Sequence, residues 1–130
     1  MAGEVAHNAS HELAAPGGHY SHATRAGGLL FVSGQLPIAR DGTKLSGQSF
    51  EKQTLQTLAN VSAALASAGR GTDSLVQVRV YITDIDNWPA FNSIYSEWVG
   101  SARPARAVVP VSALHYGFEI EIEAVAISSN

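Results

Sequence analysis

Arg103-Pro104-Ala105-Arg106-Ala107-Val108-Val109-Pro110-Val111, followed by Glu119-Ile120-Glu121-Ile122-Glu123-Ala124, is the stretch whose reading decides the fold. Both segments alternate or run apolar over strand length, so they read as two closing β-strands. A guanidinium opens the first, and three carboxylates share one face of the second, because strand side chains alternate with period two. Like charges at that spacing repel, so at least one needs a cation, a donor or water. Arg106 is the side-chain type that grips a planar carboxylate with two parallel hydrogen bonds.

Working outward, Leu75 to Thr83 alternates strictly, with Val76, Val78, Val80 and Ile82 on one face and Gln77, Arg79, Tyr81 and Thr83 on the other. This is a half-buried strand. Between it and Arg103, Asp86-Asn87-Trp88-Pro89 starts a helix with Pro in its first turn. Trp88, Phe91, Ile94 or Tyr95, and Trp98 form its expected apolar face, and Gly100 ends it. Upstream, Ser49 is a candidate N-cap for a first helix whose stripe is Leu55, Leu58, Val61, Leu65 and Ala68, stopped at Gly69. Leu29-Leu30-Phe31-Val32 reads as a strand buried on both faces, ending in Ser33-Gly34-Gln35. His19 to Ala23 reads as an extended piece after the Pro16-Gly17-Gly18 turn. Residues 1–15 carry no period and are expected to be a loosely held, flexible arm, leaving 16–130 as a single domain. The order of elements predicts an α+β layer: two helices packed on one face of a mixed sheet.

The 130 residues carry 8 Lys and Arg against 11 Asp and Glu, a net charge of −3, with no basic cluster. Non-specific nucleic-acid binding needs clustered cations, so no nucleic-acid partner is expected. The absence of cysteine removes a thiol nucleophile, a disulfide framework and any Cys-ligated metal. His7/His11 and His19/His22 have no helical context, so no metal site is expected. No apolar run reaches the ~20 residues that span a bilayer, and the first residues lack a secretory pattern. The default is a cytoplasmic protein with no membrane partner.

In this order, Pro16–Ser21, Phe31-Val32-Ser33-Gly34-Gln35, Gln53 through Asn60, Val80–Asp84, Phe91-Asn92-Ser93-Ile94-Tyr95, Arg103–Arg106 and Glu121–Ala124 resemble the reactive-intermediate deaminase family, the Rid or YjgF-like proteins. The resemblance runs from about Pro16 to Ala126. It implies a chorismate-mutase-like fold with a mixed six-stranded sheet. It also implies a homotrimer with sites between subunits. The implied activity is that of an enzyme, an enamine/imine deaminase: hydrolysis of 2-aminoacrylate-like intermediates to 2-keto acids and ammonia. By the same resemblance Arg106 binds the carboxylate of a small-molecule substrate and Glu121 positions the water. Tyr20, Ser33, Asn92 and the position of Val108 line the pocket. The implied chemistry requires neither metal nor organic cofactor. Two positions depart from the family. Val108 stands where cysteine is frequent, and Leu114-His115-Tyr116-Gly117 replaces a Leu-Pro-Lys-Gly-like loop.

Other readings stand beside these. Arg106 pairing with Glu121 or Glu123 would be a structural ion pair, and Glu119 and Glu123 read as solvated or interface charges. A pathway-specific deaminase acting on an aminomuconate-like substrate is one alternative function. A non-catalytic protein that binds small carboxylates or amino acids and regulates a partner is another. Family members are also described as ribonucleases, but the acidic balance argues against RNA cleavage here.

Overall fold

The structure is a computed structural model that describes residues 3–128; residues 1, 2, 129 and 130, at the ends of the expected arm and domain, lie outside it. Among the described residues six strands and two α-helices follow in the order β1 (Ala6–Asn8), β2 (Ala23–Ala26), β3 (Leu29–Gln35), α1 (Phe50–Ala66), β4 (Leu75–Ile82), α2 (Trp88–Val99), β5 (Ala105–Pro110) and β6 (Ile120–Ile127). The sheet order is β1-β2-β3-β6-β4-β5. Every pairing is antiparallel except β4 with β5, which α2 connects as a crossover. The expected α+β architecture, a chorismate-mutase-like mixed six-stranded sheet under two helices, is the one observed.

The central strand β6 buries Ile120, Ile122, Ala124 and Ala126 against the helices and leaves Glu121, Glu123 and Val125 half-buried on the opposite face. Val80 lies between Ile122 and Val108 in the ladder. With Val78, Ile82, Leu30 and Val32 these side chains floor the core, and Leu58, Val61, Leu65, Phe91 and Val99 roof it. No helix among the described residues is long and apolar enough to cross a membrane.

α1 starts at the expected cap: Ser49 Oγ accepts from the Lys52 N–H at 3.2 Å. Its buried stripe differs from the expected one. Leu55 is 58% exposed, while Gln53, Thr54, Thr57 and Asn60 are buried. The 3–4 spacing that faces the sheet runs through 54, 58, 61 and 65, and Leu55 sits about 100° off it. The polar residues tolerate burial because their hydrogen bonds are made. Thr54 and Thr57 donate to the carbonyls four residues back, and Asn60 Nδ2 donates to Leu36 and Ile38 carbonyls at 2.9 Å each.

α2 buries Phe91, Tyr95 and Val99, whereas Trp88, expected on that face, is largely exposed at the helix start. In β4 the register shifts between Leu75 and Gln77, a bulge that turns Val76 to solvent although Val78, Val80 and Ile82 are fully buried. β3 is buried on one face only, with Phe31 43% exposed on the other. The expected extended piece at 19–23 is displaced, since the strand begins at Ala23. Within the segment expected to be a loose arm, Ala6–Asn8 pairs as an edge strand with β2 and Leu13 is buried. The His22 ring ties that segment down: Nδ1 accepts from the Ser10 N–H at 3.0 Å, and Nε2 donates to the Ala14 carbonyl at 2.8 Å. With Nδ1 accepting, this is the neutral Nε2–H tautomer.

Candidate functional site

The residues singled out in the sequence fall into two groups on opposite faces of the sheet. The first forms on the helix side of edge strand β5. Arg106 pairs in register with Val78, whose side chain is buried beneath the helices, so the guanidinium emerges under α2. Its Nη1 donates to Asn92 Oδ1 at 2.9 Å. Its Cζ lies 4.9 Å from the Tyr95 ring centroid and 5.7 Å from that of Phe91, within cation–π range of both. Phe91, Asn92 and Tyr95 occupy positions i, i+1 and i+4 of one helix, which places an amide and two rings around one cation. None of the described carboxylates lies within ion-pair distance of Arg106. The alternative structural pair with Glu121 or Glu123 is therefore absent from the protomer. Val108 follows two residues on, half-buried on the same side and packed on the core.

Burial raises the Tyr95 hydroxyl above its ordinary range, with Arg106 opposing. That hydroxyl is the one buried side-chain polar atom without a hydrogen bond among the described residues.

The second group lies on the face away from the helices. Glu121 pairs with Tyr81, and Glu123 with Arg79. Glu123 is occupied: it accepts from the Tyr81 hydroxyl and sits 3.5 Å from Arg79 Nη1. The hydrogen bond to Glu123 is the main reason that the Tyr81 phenol is raised. Glu121 has no such partner, and burial raises its carboxyl above the usual 4.5, with His115 opposing and Glu123 adding. β3 carries a bulge between Val32 and Gln35, where one extra residue is accommodated opposite Glu123. The bulge presents Gly34 to Glu121 so closely that a Cβ there would overlap the carboxylate. Ser33 Oγ donates to the Ser21 carbonyl at 2.6 Å, keeping its lone pairs as acceptors. Tyr20 stands half-exposed at the rim of a cleft of about 310 Å³ that Gly34 and His115 also line.

Glu119, expected on the face shared by Glu121 and Glu123, instead meets α1. Gln53 Nε2 donates to its Oε2 at 3.1 Å, and Gln53 Oε1 accepts from its N–H at 2.9 Å. It precedes the first residue of β6 and escapes the alternation. Among the described residues no three His, Asp or Glu side chains converge as a metal centre requires.

A single protomer thus collects Arg106, Asn92 and Val108 on one side and Tyr20, Ser33 and Glu121 on the other. Sequence reasoning missed the rings around Arg106, which read as plain core, and the role of Gly34. The signal for the first was the aromatic i, i+4 pair flanking Asn92; for the second, a glycine inside a strand.

The fold has close counterparts among solved structures. A family model described as Endoribonuclease L-PSP matches residues 10–128. A RutC family protein of Pyrococcus horikoshii is 39% identical over 111 residues, which are 85% of this chain and 88% of that one. The crystal structure of YyfA, a protein of unknown function of the conserved Rid family from Yersinia pestis, has a TM-score of 0.90 at 37% identity and covers 95% of this chain and 99% of its own. That of E. coli TdcF with bound serine has a TM-score of 0.87 at 26% identity, with 95% and 99% covered. A match over nearly the whole chain, in sequence and in fold alike, makes this protein a member of the Endoribonuclease L-PSP family, the YjgF-like or Rid proteins.

Proposed function

We propose that the protein hydrolyses carboxylated enamine and imine intermediates of the 2-aminoacrylate type to 2-keto acids and ammonia, in sites completed between the protomers of a homotrimer. One observation carries this reading: Arg106 is held by Asn92 and two rings yet has no carboxylate to neutralise it among the described residues. A cation fixed in position and left without a counter-charge is suited to an anionic ligand. The bound serine of the TdcF neighbour supports a small carboxylated ligand of amino-acid type.

In this reading Arg106 grips the substrate carboxylate while Asn92 fixes the plane of the guanidinium. Glu121 of an adjacent protomer orients a water toward the imine carbon. The water's oxygen bonds to that carbon as Glu121 takes its proton. That proton passes to nitrogen to give a carbinolamine; its hydroxyl proton then also passes to nitrogen as the carbon–nitrogen bond breaks, so that ammonia leaves as the carbonyl forms. General-base assistance of this kind contributes about 10²–10⁴-fold. A carboxyl raised by burial is better matched to that task near neutral pH than an ordinary one. Tyr20 and Ser33 line the Glu121 side, and Val108 contributes its backbone on the Arg106 side.

The test is subunit complementation. Imines are generated in situ by an amino-acid oxidase, and keto-acid release is followed against competing semicarbazide. Arg106→Ala and Glu121→Gln should each abolish hydrolysis. Co-refolded one to one, they should recover about a quarter of the wild-type rate, because random mixing gives that share of sites one intact half from each chain. No recovery would refute a shared site. Small-carboxylate binding without turnover, indifferent to Glu121→Gln, would instead assign a regulatory binding protein.

A further inference from the structure

The cleft beside Glu121 is larger than a three-carbon substrate needs. Its volume of about 310 Å³ is in the range of pockets that accept whole small-molecule ligands. No Asp or Glu is among the residues that line it, although acids outnumber bases in the chain. The charge on its wall comes from Lys44, and the His115 ring also lines it. Lys44 has no carboxylate partner among the described residues; its Nζ lies 4.8 Å from the Tyr116 ring centroid.

The walls are built rather than loose. Lys44 is held in an antiparallel bridge to Ile38, whose carbonyl accepts from the buried Asn60. Tyr116 holds a left-handed backbone at φ +57°, which costs a bulky residue free energy. Three contacts keep it there. Its carbonyl accepts from Ser46 Oγ at 2.7 Å, its ring lies edge-on to Phe118 at 5.6 Å, and Lys44 caps the ring. The opposite wall, Leu13 to Ala15, hangs on the His22 hydrogen bonds, and both nitrogens of that neutral ring are occupied. The cleft therefore pairs a fixed aromatic wall at Tyr116 with an uncompensated cation.

We infer that this cleft is the side-chain subsite of the proposed centre, and that it selects imines bearing a second, distal anionic group, which Lys44 and His115 bind between Tyr20 and Tyr116. The inference rests on the deaminase reading for its chemistry but not for its binding. Dicarboxylic imines are the substrate class. The α-carboxylate goes to Arg106 and the distal one to Lys44.

Two measurements test it. In the first, imines generated in situ from glutamate and from norvaline, which match in chain length, are compared as substrates. The wild-type protein should favour the glutamate imine in kcat/KM. Lys44→Met should lower the ratio between the two imines by about tenfold or more, as loss of a charge-assisted hydrogen bond does, and Lys44→Arg should restore it. A ratio near one in the wild type, or one unmoved by Lys44→Met, overturns the inference. In the second, binding of 2-oxoglutarate and of 2-oxopentanoate is titrated by calorimetry. Tighter binding of the dicarboxylate, lost in Lys44→Met, supports the subsite even where no imine is turned over. In that outcome the deaminase reading alone fails. Equal binding of both probes, unchanged in Lys44→Met, overturns the subsite whatever the turnover.

Discussion

At the scale of single residues, what matters is which charges have partners. Glu119 is tied to Gln53, Glu123 to Tyr81 and Arg79, and Arg106 to a neutral amide and two rings. Glu121 keeps a half-buried carboxyl with no donor among the described residues, and that partial burial lifts it above 4.5. A base must be ionised to work, so the rate should rise with pH through an apparent value above 4.5. His115 acts in the lowering direction, so His115→Ala removes that effect and should move the acid limb of kcat/KM to still higher pH. A limb that stays in place or moves down would detach His115 from Glu121. The sequence named Arg106 and Glu121 but left open whether they pair with each other. Strand alternation settles only which residues of one strand share a face. Whether Arg106 and Glu121 share one depends on the pairing of β4 with β5 and β6, which puts Arg106 with Val78 and Glu121 with Tyr81.

Among the elements, α1 is the instructive case. Its start and stop were readable, because a capping hydroxyl and a left-handed glycine are local signals: Ser49 accepts from Lys52, and Gly69 sits at φ +68°. Its buried face was not, because Gln53, Thr57 and Asn60 look polar until their partners are in place. The contrast can be measured. Leu55→Gln should change unfolding free energy by no more than about 0.5 kcal/mol, as exposed positions do. Asn60→Leu should cost about 1–3 kcal/mol, because two loop carbonyls lose their donor. Denaturant midpoints at constant slope check both, and a reversed order would contradict the burial of Asn60 and the exposure of Leu55. The bulges of β3 and β4 belong to this scale as well. Each inserts one residue, and the residues flanking it reverse the face that simple alternation would assign them.

For the whole molecule, the telling feature is the sheet face opposite the helices. Phe31 is 43% exposed there, beside the half-buried Val125 and Glu123. A homotrimer, the state expected from the family resemblance, would cover that face and bring Glu121 toward the Arg106 group of a neighbour. Sedimentation should then give three times 13.6 kDa. Phe31→Asp, which places a charge in the apolar patch, should shift the equilibrium toward the monomer and reduce hydrolysis with it. A monomeric wild-type protein at micromolar concentration would remove the shared site.

The chain alone determined the order of strands and helices after the N-terminal segment, the ends of α1, the family and the residues worth watching. These depend on period, caps and motif spacing, all local along the sequence. Tertiary structure alone decided that Arg106 and Glu121 lie on opposite faces, that Glu119 turns to α1, and that Lys44 and Tyr116 meet at one cleft. Such outcomes depend on register, bulges and contacts between distant segments, and a one-residue shift in any of these would turn a side chain to the other face.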